Sequence, residues 1–274
     1  MSIKDILVHV DVGDDGGDGA GAALQVAVDQ ARRFGARLTG LFARKEILPA
    51  AVTAGLASET LLAAAARAKA VFDAAATGLE TRWWQIEHGA ADQLVAEAVF
   101  CAHYVDLVVV TQPVAGNRRL PPNLVDKLIL SGGRPVLVVP AAGRVVTIGN
   151  RTLIGWRSGK EAARAVQSSL PFLTDAEHVV VASVGGPMGG IQSGTPKVDI
   201  IDHLRAHGLP VAGERIHIED LGVMDALLSR AYDLDCDLLV MGGHAGRALS
   251  FSGKAGAGTR HILLHAGLPV LFAG

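Results

Sequence analysis

The sequence predicts an α/β protein of two similar doubly wound domains, each a five-stranded parallel sheet flanked by helices. Three observations carry this. Short valine-rich runs, bounded by glycine, proline or aspartate, alternate with stretches of helical periodicity. The runs at 106–111 and 237–241 show no polar/apolar alternation, as expected of strands covered on both faces. Landmarks also recur. Asp106-Leu-Val-Val-Val answers Asp237-Leu-Leu-Val-Met, and Arg134-Pro-Val-Leu-Val answers Leu268-Pro-Val-Leu-Phe. That spacing, roughly 135 residues, is longer than a solenoid repeat and signals two like domains. The expected division is 1–143 and 144–274, with a short linker at 141–150 that packs the halves closely.

Each element has a local reason. In the first half, strands are expected at 6–10, 37–43, 81–87, 106–111 and 135–139, and helices at 22–34, 56–76, 91–103 and 123–130. Gly35 stops the first helix and Pro49 breaks the chain before the second. In the second half, strands are expected at 151–156, 177–184, 214–218, 237–241 and 268–272. Helices fall at 161–173, 198–207 (stopped by Gly208-Leu209-Pro210) and 223–232, with a last one opening near Thr259. Right-handed crossovers make both sheets parallel. The pattern leaves a flavodoxin-like and a nucleotide-binding strand order equally open.

Composition excludes several classes. The chain has 274 residues, 50% hydrophobic, with 25 Lys and Arg against 27 Asp and Glu, a net charge of −2. Such balance gives no electrostatic footprint for nucleic acid or an anionic membrane. No apolar run approaches transmembrane length, and the N-terminus has no signal-peptide architecture, so a cytoplasmic protein is expected. Cys101 and Cys236 read as buried apolar residues and the histidines as surface or helix-end groups, without zinc spacing. Asp11, Asp14, Asp15 and Asp18 lack a calcium-loop pattern and read as a solvated loop. Trp83 and Trp84 read as core or interface. No nucleophile–base pairing or nucleophile elbow is evident, so no dedicated catalysis is expected beyond slow hydrolysis of a bound nucleotide.

One stretch has the grammar of a phosphate site. The 237–241 strand ends in Gly242-Gly243, then Gly246, Gly253, Gly256 and Gly258 lead into a helix near Thr259. Glycines there permit positive φ and close approach of backbone N–H groups to a phosphate, and the helix adds its positive end. Arg260 and His261, in its first turn, are candidates to add charge. The competing reading is a glycine-rich connection that only turns the chain. The corresponding first-half segment, 111–122, has lost the glycine spacing, and Pro121-Pro122 supply no backbone donors.

These residues resemble the universal stress protein family. Its nucleotide-binding members carry G-x2-G-x9-G followed by Ser or Thr; here Gly243, Gly246 and Gly256 fit, with Ala257 in the Ser/Thr place. Gly258-Thr-Arg-His-Ile-Leu263, Leu268-Pro-Val-Leu and Trp156-Arg-Ser-Gly-Lys-Glu-Ala-Ala-Arg-Ala-Val166 are also similar to the family. With the duplication, the likeness covers the whole chain and indicates the tandem type. It implies sheet order 3-2-1-4-5 in each half and a stress-response protein with ATP, accompanied by Mg²⁺, in the second half. Met241, Gly242, Gly243, Gly246, Gly256, Ala257, Gly258 and Thr259 would surround ribose and phosphates, and Trp156, Arg157 and Val184 the base. Departures are the missing hydroxyl at Ala257, one extra residue in the turn after the fourth strand, and Arg157 where an acidic residue is usual. The first half keeps that acidic residue as Asp11. The resemblance further implies that the two last strands pair within the chain, with homodimerisation as a further expectation. The alternative function is a structural or interaction protein of the same fold that binds no nucleotide; an adenylating or other small-molecule enzyme finds no catalytic set here.

Overall fold

The computed structural model describes residues 2–12, 19–45, 58–86, 91–114, 116–117, 120–121, 123–143, 145–184, 199–216, 222–243 and 255–274. The first half runs β1 (Asp5–His9), α1 (Gly19–Phe34), β2 (Arg37–Ala43), α2 (Glu59–Ala75), β3 (Thr81–Ile86), α3 (Ala91–Ala102), β4 (Leu107–Thr111), α4 (Leu124–Ser131) and β5 (Val136–Val139). The second repeats it with β6 (Arg151–Gly155), α5 (Lys160–Ser169), β7 (His178–Val184), α6 (Ile200–Ala206), β8 (Val211–Ile216), α7 (Val223–Asp233), β9 (Leu238–Gly242), α8 (Ala257–His265) and β10 (Val270–Ala273).

The ten strands of the described residues form one sheet, in the order β3-β2-β1-β4-β5-β10-β9-β6-β7-β8. Each half therefore has the order 3-2-1-4-5 in its own strand numbers, and pairing within each half is parallel. The halves meet at an antiparallel β5–β10 pair in which Leu137 faces Leu271. Val108 aligns with Val136, and Leu239 with Val270. Leu137 and Leu271 are thus equivalent residues facing each other, and a pseudo-two-fold axis passes between them. This is the isologous pairing of a symmetric dimer, built inside one chain. It also removes two of the four sheet edges that separate domains would expose.

The repeated aspartates have a structural reason. Asp106 accepts the N–H groups of Lys4 and Asp5 at 2.8 and 3.1 Å. Asp237 does the same for Gly149, Asn150 and Arg151 at 3.0, 3.1 and 3.1 Å. In each half a carboxylate before the fourth strand thereby fixes where the first strand begins. Helix starts follow capping chemistry: Ser58 Oγ accepts the Leu61 N–H, and Asp199 Oδ1 that of Ile201.

Two apolar layers cover the sheet. Residues of α1, α2, α5 and α6, including Phe72, Ala165 and Ile201, pack on one face with Phe172. Residues of α3, α4, α7 and α8, including Leu94, Leu128, Leu227 and Ile262, pack on the other. Both layers run across the junction. Arg33 of α1 donates to the carbonyls of Ile148 and Phe172, and Phe34 meets Phe172 edge-on at 5.4 Å. Trp83 packs on Phe72 at 5.5 Å and Trp84 against the opposite layer, in keeping with a core role.

Some boundaries shift from expectation. β8 begins at Val211, three residues early, directly after Pro210. It is a sheet edge, half-exposed along its length, so its sequence carries little apolar signal. α5 ends at Ser169 and gives way to a 3₁₀ turn over Leu170–Phe172, because Pro171 cannot donate to an α-helical ladder. His9 is buried in β1, not at the surface, its Nε2–H donating to Ala43 O at 3.0 Å. Asp14, Asp15 and Asp18 lie outside the described residues. No helix among the described residues is long and apolar enough to cross a membrane.

Candidate functional site

β6 and β9 are neighbours, yet β6 continues into α5 on one face and β9 leads to α8 on the other. A crevice must open at their carboxyl ends, where ligands of open α/β sheets bind. A cavity of about 230 Å³ lies there. Its floor is Gly155, Ala182, Met241 and Gly242, and one wall is Val223, Met224 and Leu227 of α7. The opposite side is Gly256, Gly258 and Thr259 at the start of α8, with Ala162 of α5; Trp156 and Arg157 complete the lining.

Its chemistry is uneven. The bowl is apolar, with two methionines and an indole. Beside it stand an exposed guanidinium, Arg157, and the first turn of α8. The first intrahelical bond of α8 runs from Arg260 N–H to Gly256 O at 3.0 Å. The N–H groups of Ala257 and Gly258 precede it in the first turn, where the helix offers no acceptor of its own. They carry the positive end of the helix dipole. No carboxylate lines the cavity among the described residues. An anionic group on an apolar or aromatic body is what this lining accommodates.

Most of the expected site residues come together here. Trp156, Arg157, Met241, Gly242, Gly256, Gly258 and Thr259 all line the cavity. Val184 ends β7, but it is Ala182 of that strand that reaches the lining. Ala257 is exposed in the first turn of α8, and Gly246 lies outside the described residues. Gly243 points away: a Cβ there would lie 2.3 Å from Ile129 Cγ2 of α4, in the other half. α8 also begins two residues earlier than expected, with Gly256 at its N-cap.

The described glycines do not use the positive φ that was expected of them. Gly242, Gly243, Gly256 and Gly258 all lack positive φ. A Cβ on Gly242 would approach Ala162 N at 2.7 Å and the Glu161 carbonyl carbon at 2.8 Å. Close packing of β9 on the start of α5 therefore requires this glycine. Arg260 and His261 also fail to join the cavity. His261 Nε2–H donates to Asp225 Oδ1 at 2.8 Å, tying α8 to α7. Arg260 lines a separate cleft of about 190 Å³ that also contains Asp126 of α4.

Missed by pattern reading were Gly155 and the α7 wall. Strand register shows why Gly155 matters. Ile6 faces Leu107 and Thr152 faces Leu238, so His9, Val10 and Asp11 correspond to Gly155, Trp156 and Arg157. In the first half larger, buried side chains stand at this place. His9 is buried there, and Asp11 pairs with Arg44 at 3.6 Å, with side chains only 14% and 10% exposed. Comparing His9 with Gly155 in the repeat was the available signal. The α7 wall had none, because Val223, Met224 and Leu227 read as an ordinary amphipathic stripe.

Cys101 and Cys236 are free. Burial raises both thiol pKa values, that of Cys236 to about 11, which keeps them protonated and poorly nucleophilic at neutral pH. Among the described residues no three His, Cys, Asp or Glu side chains are placed to hold a metal ion.

Solved structures place this architecture. A universal stress protein from Archaeoglobus fulgidus DSM 4304 superposes with a TM-score of 0.70 at 12% identity, covering 99% of this chain and 96% of its own. The chain has the tandem universal stress protein fold. A functionally unknown protein from Pseudomonas aeruginosa PAO1 matches it with a TM-score of 0.58 at 17% identity, over 99% of this chain and 92% of its own. A second P. aeruginosa protein, from strain UCBPP-PA14 and provisionally named a universal stress protein, gives 0.58 at 18%, over 99% and 93%. No protein-family sequence model matches, and no curated protein matches in sequence. Likeness at such low identity is one of fold, so both the cavity and its filled counterpart belong to a tandem universal stress protein architecture whose ligand chemistry must be argued from this chain.

Proposed function

We propose that this is a stress-response protein whose second half binds a nucleotide, ATP in the first instance, and whose first half does not. The observation that carries the reading is the open cavity at the β6–β9 switch point, set against the same position filled by His9 and the Asp11–Arg44 pair. Phosphates would lie at the first turn of α8, near Arg157 and Thr259, and the base would occupy the bowl between Trp156, Met224 and Met241. Since no described lining residue is a carboxylate, a magnesium ion would be held mainly by the nucleotide's own phosphates. The stress-response assignment follows the printed name of the A. fulgidus neighbour.

A second reading, an interaction protein that keeps the fold without the ligand, draws on three features. Arg157 offers no acceptor for ribose hydroxyls, Ala257 has no hydroxyl, and Gly242 and Gly243 are explained by packing. Calorimetric titration of nucleotide-stripped protein with ATP and magnesium separates the two. The nucleotide reading expects saturable heat, and its absence at high protein concentration leaves the interaction reading.

A further inference from the structure

The cavity has two facing walls, α7 and the first turn of α8, and neither helix start is held by a capping side chain. Gly222 and Gly256 stand at the two N-cap positions and offer no side-chain hydrogen bond. The walls nevertheless meet closely. A Cβ on Gly258 would lie 3.3 Å from Met224 Sδ and 3.4 Å from its Cε, so the bare backbone at Gly258 lets Met224 lie against the start of α8. Met224 and Gly258 both line the cavity. Its width therefore follows from how α7 and α8 are held together at this end.

A polar contact lies directly behind that meeting point. Asp225 follows Met224, and His261 stands three residues after Gly258, on the next turn of α8. His261 Nε2–H donates to Asp225 Oδ1 at 2.8 Å. Both partners are held from their own helices. Asp225 is in the first turn of α7, where the helix dipole favours a carboxylate, and its Oδ2 turns back to 2.9 Å from a Cβ built on Gly222. The His261 ring packs on that of His265, one turn on, with centroids 4.5 Å apart. A second polar tie lies at the far end of the helix pair, where Tyr232 Oη accepts the Gly267 N–H at 2.8 Å. Asp225 and Tyr232 are seven residues apart on α7, about 10 Å at the rise of a helix.

We infer that the Asp225–His261 pair is a clasp that sets the width of the cavity, with both as positioning residues for Met224 and the first turn of α8. Neither belongs to the described lining, so they act through Met224 and Gly258. The two ties then have separate roles: Asp225–His261 serves the site and Tyr232–Gly267 the packing of the helices. The clasp's bearing on ligand affinity rests on the nucleotide reading; its bearing on the wall does not.

The test uses the full chain and compares wild type with His261→Ala, with His261→Gln, which keeps an N–H donor, and with Tyr232→Phe, which removes the distant tie. Methyl NMR on protein labelled with ¹³C at the methionine methyl groups reads Met224 against Met241, which sits on β9. Calorimetry reads ATP–magnesium affinity, and urea unfolding reads stability. His261→Ala is expected to shift the Met224 signal, to leave that of Met241 in place and to weaken ATP about fivefold, the upper end for a pair whose side chains are 32% and 49% exposed. His261→Gln recovers most of both effects. Tyr232→Phe leaves the Met224 signal and ATP affinity at wild-type values. An unmoved Met224 signal in His261→Ala overturns the inference. So does a shift that His261→Gln fails to recover, which assigns the effect to ring packing on His265. Equal changes in Tyr232→Phe mark a merely structural role and overturn it as well, as does a moved Met224 signal with undiminished ATP affinity. If wild type binds no ATP yet the Met224 signal moves and recovers as described, the nucleotide reading fails and the clasp stands.

Discussion

The two halves share one topology and one register, and they differ at the same point in the sheet. Above β1 and β4 the chain places an imidazole and a buried ion pair; above β6 and β9 it places a glycine, an indole and an exposed arginine. Duplication supplied two crevices, since the reversal of connections at the middle strands makes one in each half. The side chains that the described residues place there differ. Fold and site chemistry are therefore separable in this molecule: the sheet order sets where a crevice lies, and the last residue of each half's first strand, with the two that follow it, sets which side chains stand there.

Variants can break or sharpen this contrast. The largest effect should come from Arg44→Met. Asp11 and Arg44 are nearly buried, and removing one partner strands a charge, costing about 3–5 kcal/mol in urea unfolding. At the second-half position that corresponds to Asp11, Arg157→Met should cost under about 0.5 kcal/mol, because that side chain is exposed. Equal costs would mean the two positions are not the opposites described. Next is Gly242→Ala. Its Cβ would meet backbone atoms at 2.7 and 2.8 Å, so overpacking of about 1–3 kcal/mol is expected. Thr111 occupies the equivalent place in the first half with a full side chain, where α1 begins eight residues after Asp11 instead of three. Thr111→Ala should therefore cost about 1 kcal/mol or less in the same assay. The last variant is read in binding and not in stability: Arg157→Asp gives this position the charge found at Asp11. ATP affinity should fall about tenfold, near 1.4 kcal/mol. Tighter ATP binding in that variant would instead assign the position to the ribose.

Much of this was legible in the residues, for identifiable reasons. Buried parallel strands announce themselves as uninterrupted Val and Leu runs, so β4 and β9 were plain. Paired aspartates before them gave away the repeat, because each half needs the same clamp on its first strand. β8 was misplaced because an edge strand need not be apolar. The candidate site was legible in outline, since strand, glycines and helix occur in the right order. What the glycines do was not. Gly242 and Gly243 are required by Ala162 and Ile129, which lie 80 and 114 residues away in the chain and become neighbours only through the sheet and the pseudo-two-fold axis. The role of Gly155 is likewise a property of the comparison with His9, not of its own surroundings in the sequence.

The central claim is that one half of the molecule is open to a ligand and the other is closed. Its most direct test is calorimetric titration of the nucleotide-stripped full chain with ATP and magnesium, on wild type and on Gly155→His, which places the first-half residue in the second-half cavity. A Cβ at Gly155 meets nothing closer than Leu227 Cδ1 at 3.4 Å, so the fold should tolerate the change while the imidazole fills the bowl. The account predicts one site per chain in wild type and none in Gly155→His, with unfolding midpoints alike. Two sites per chain, or binding that survives Gly155→His, would contradict it.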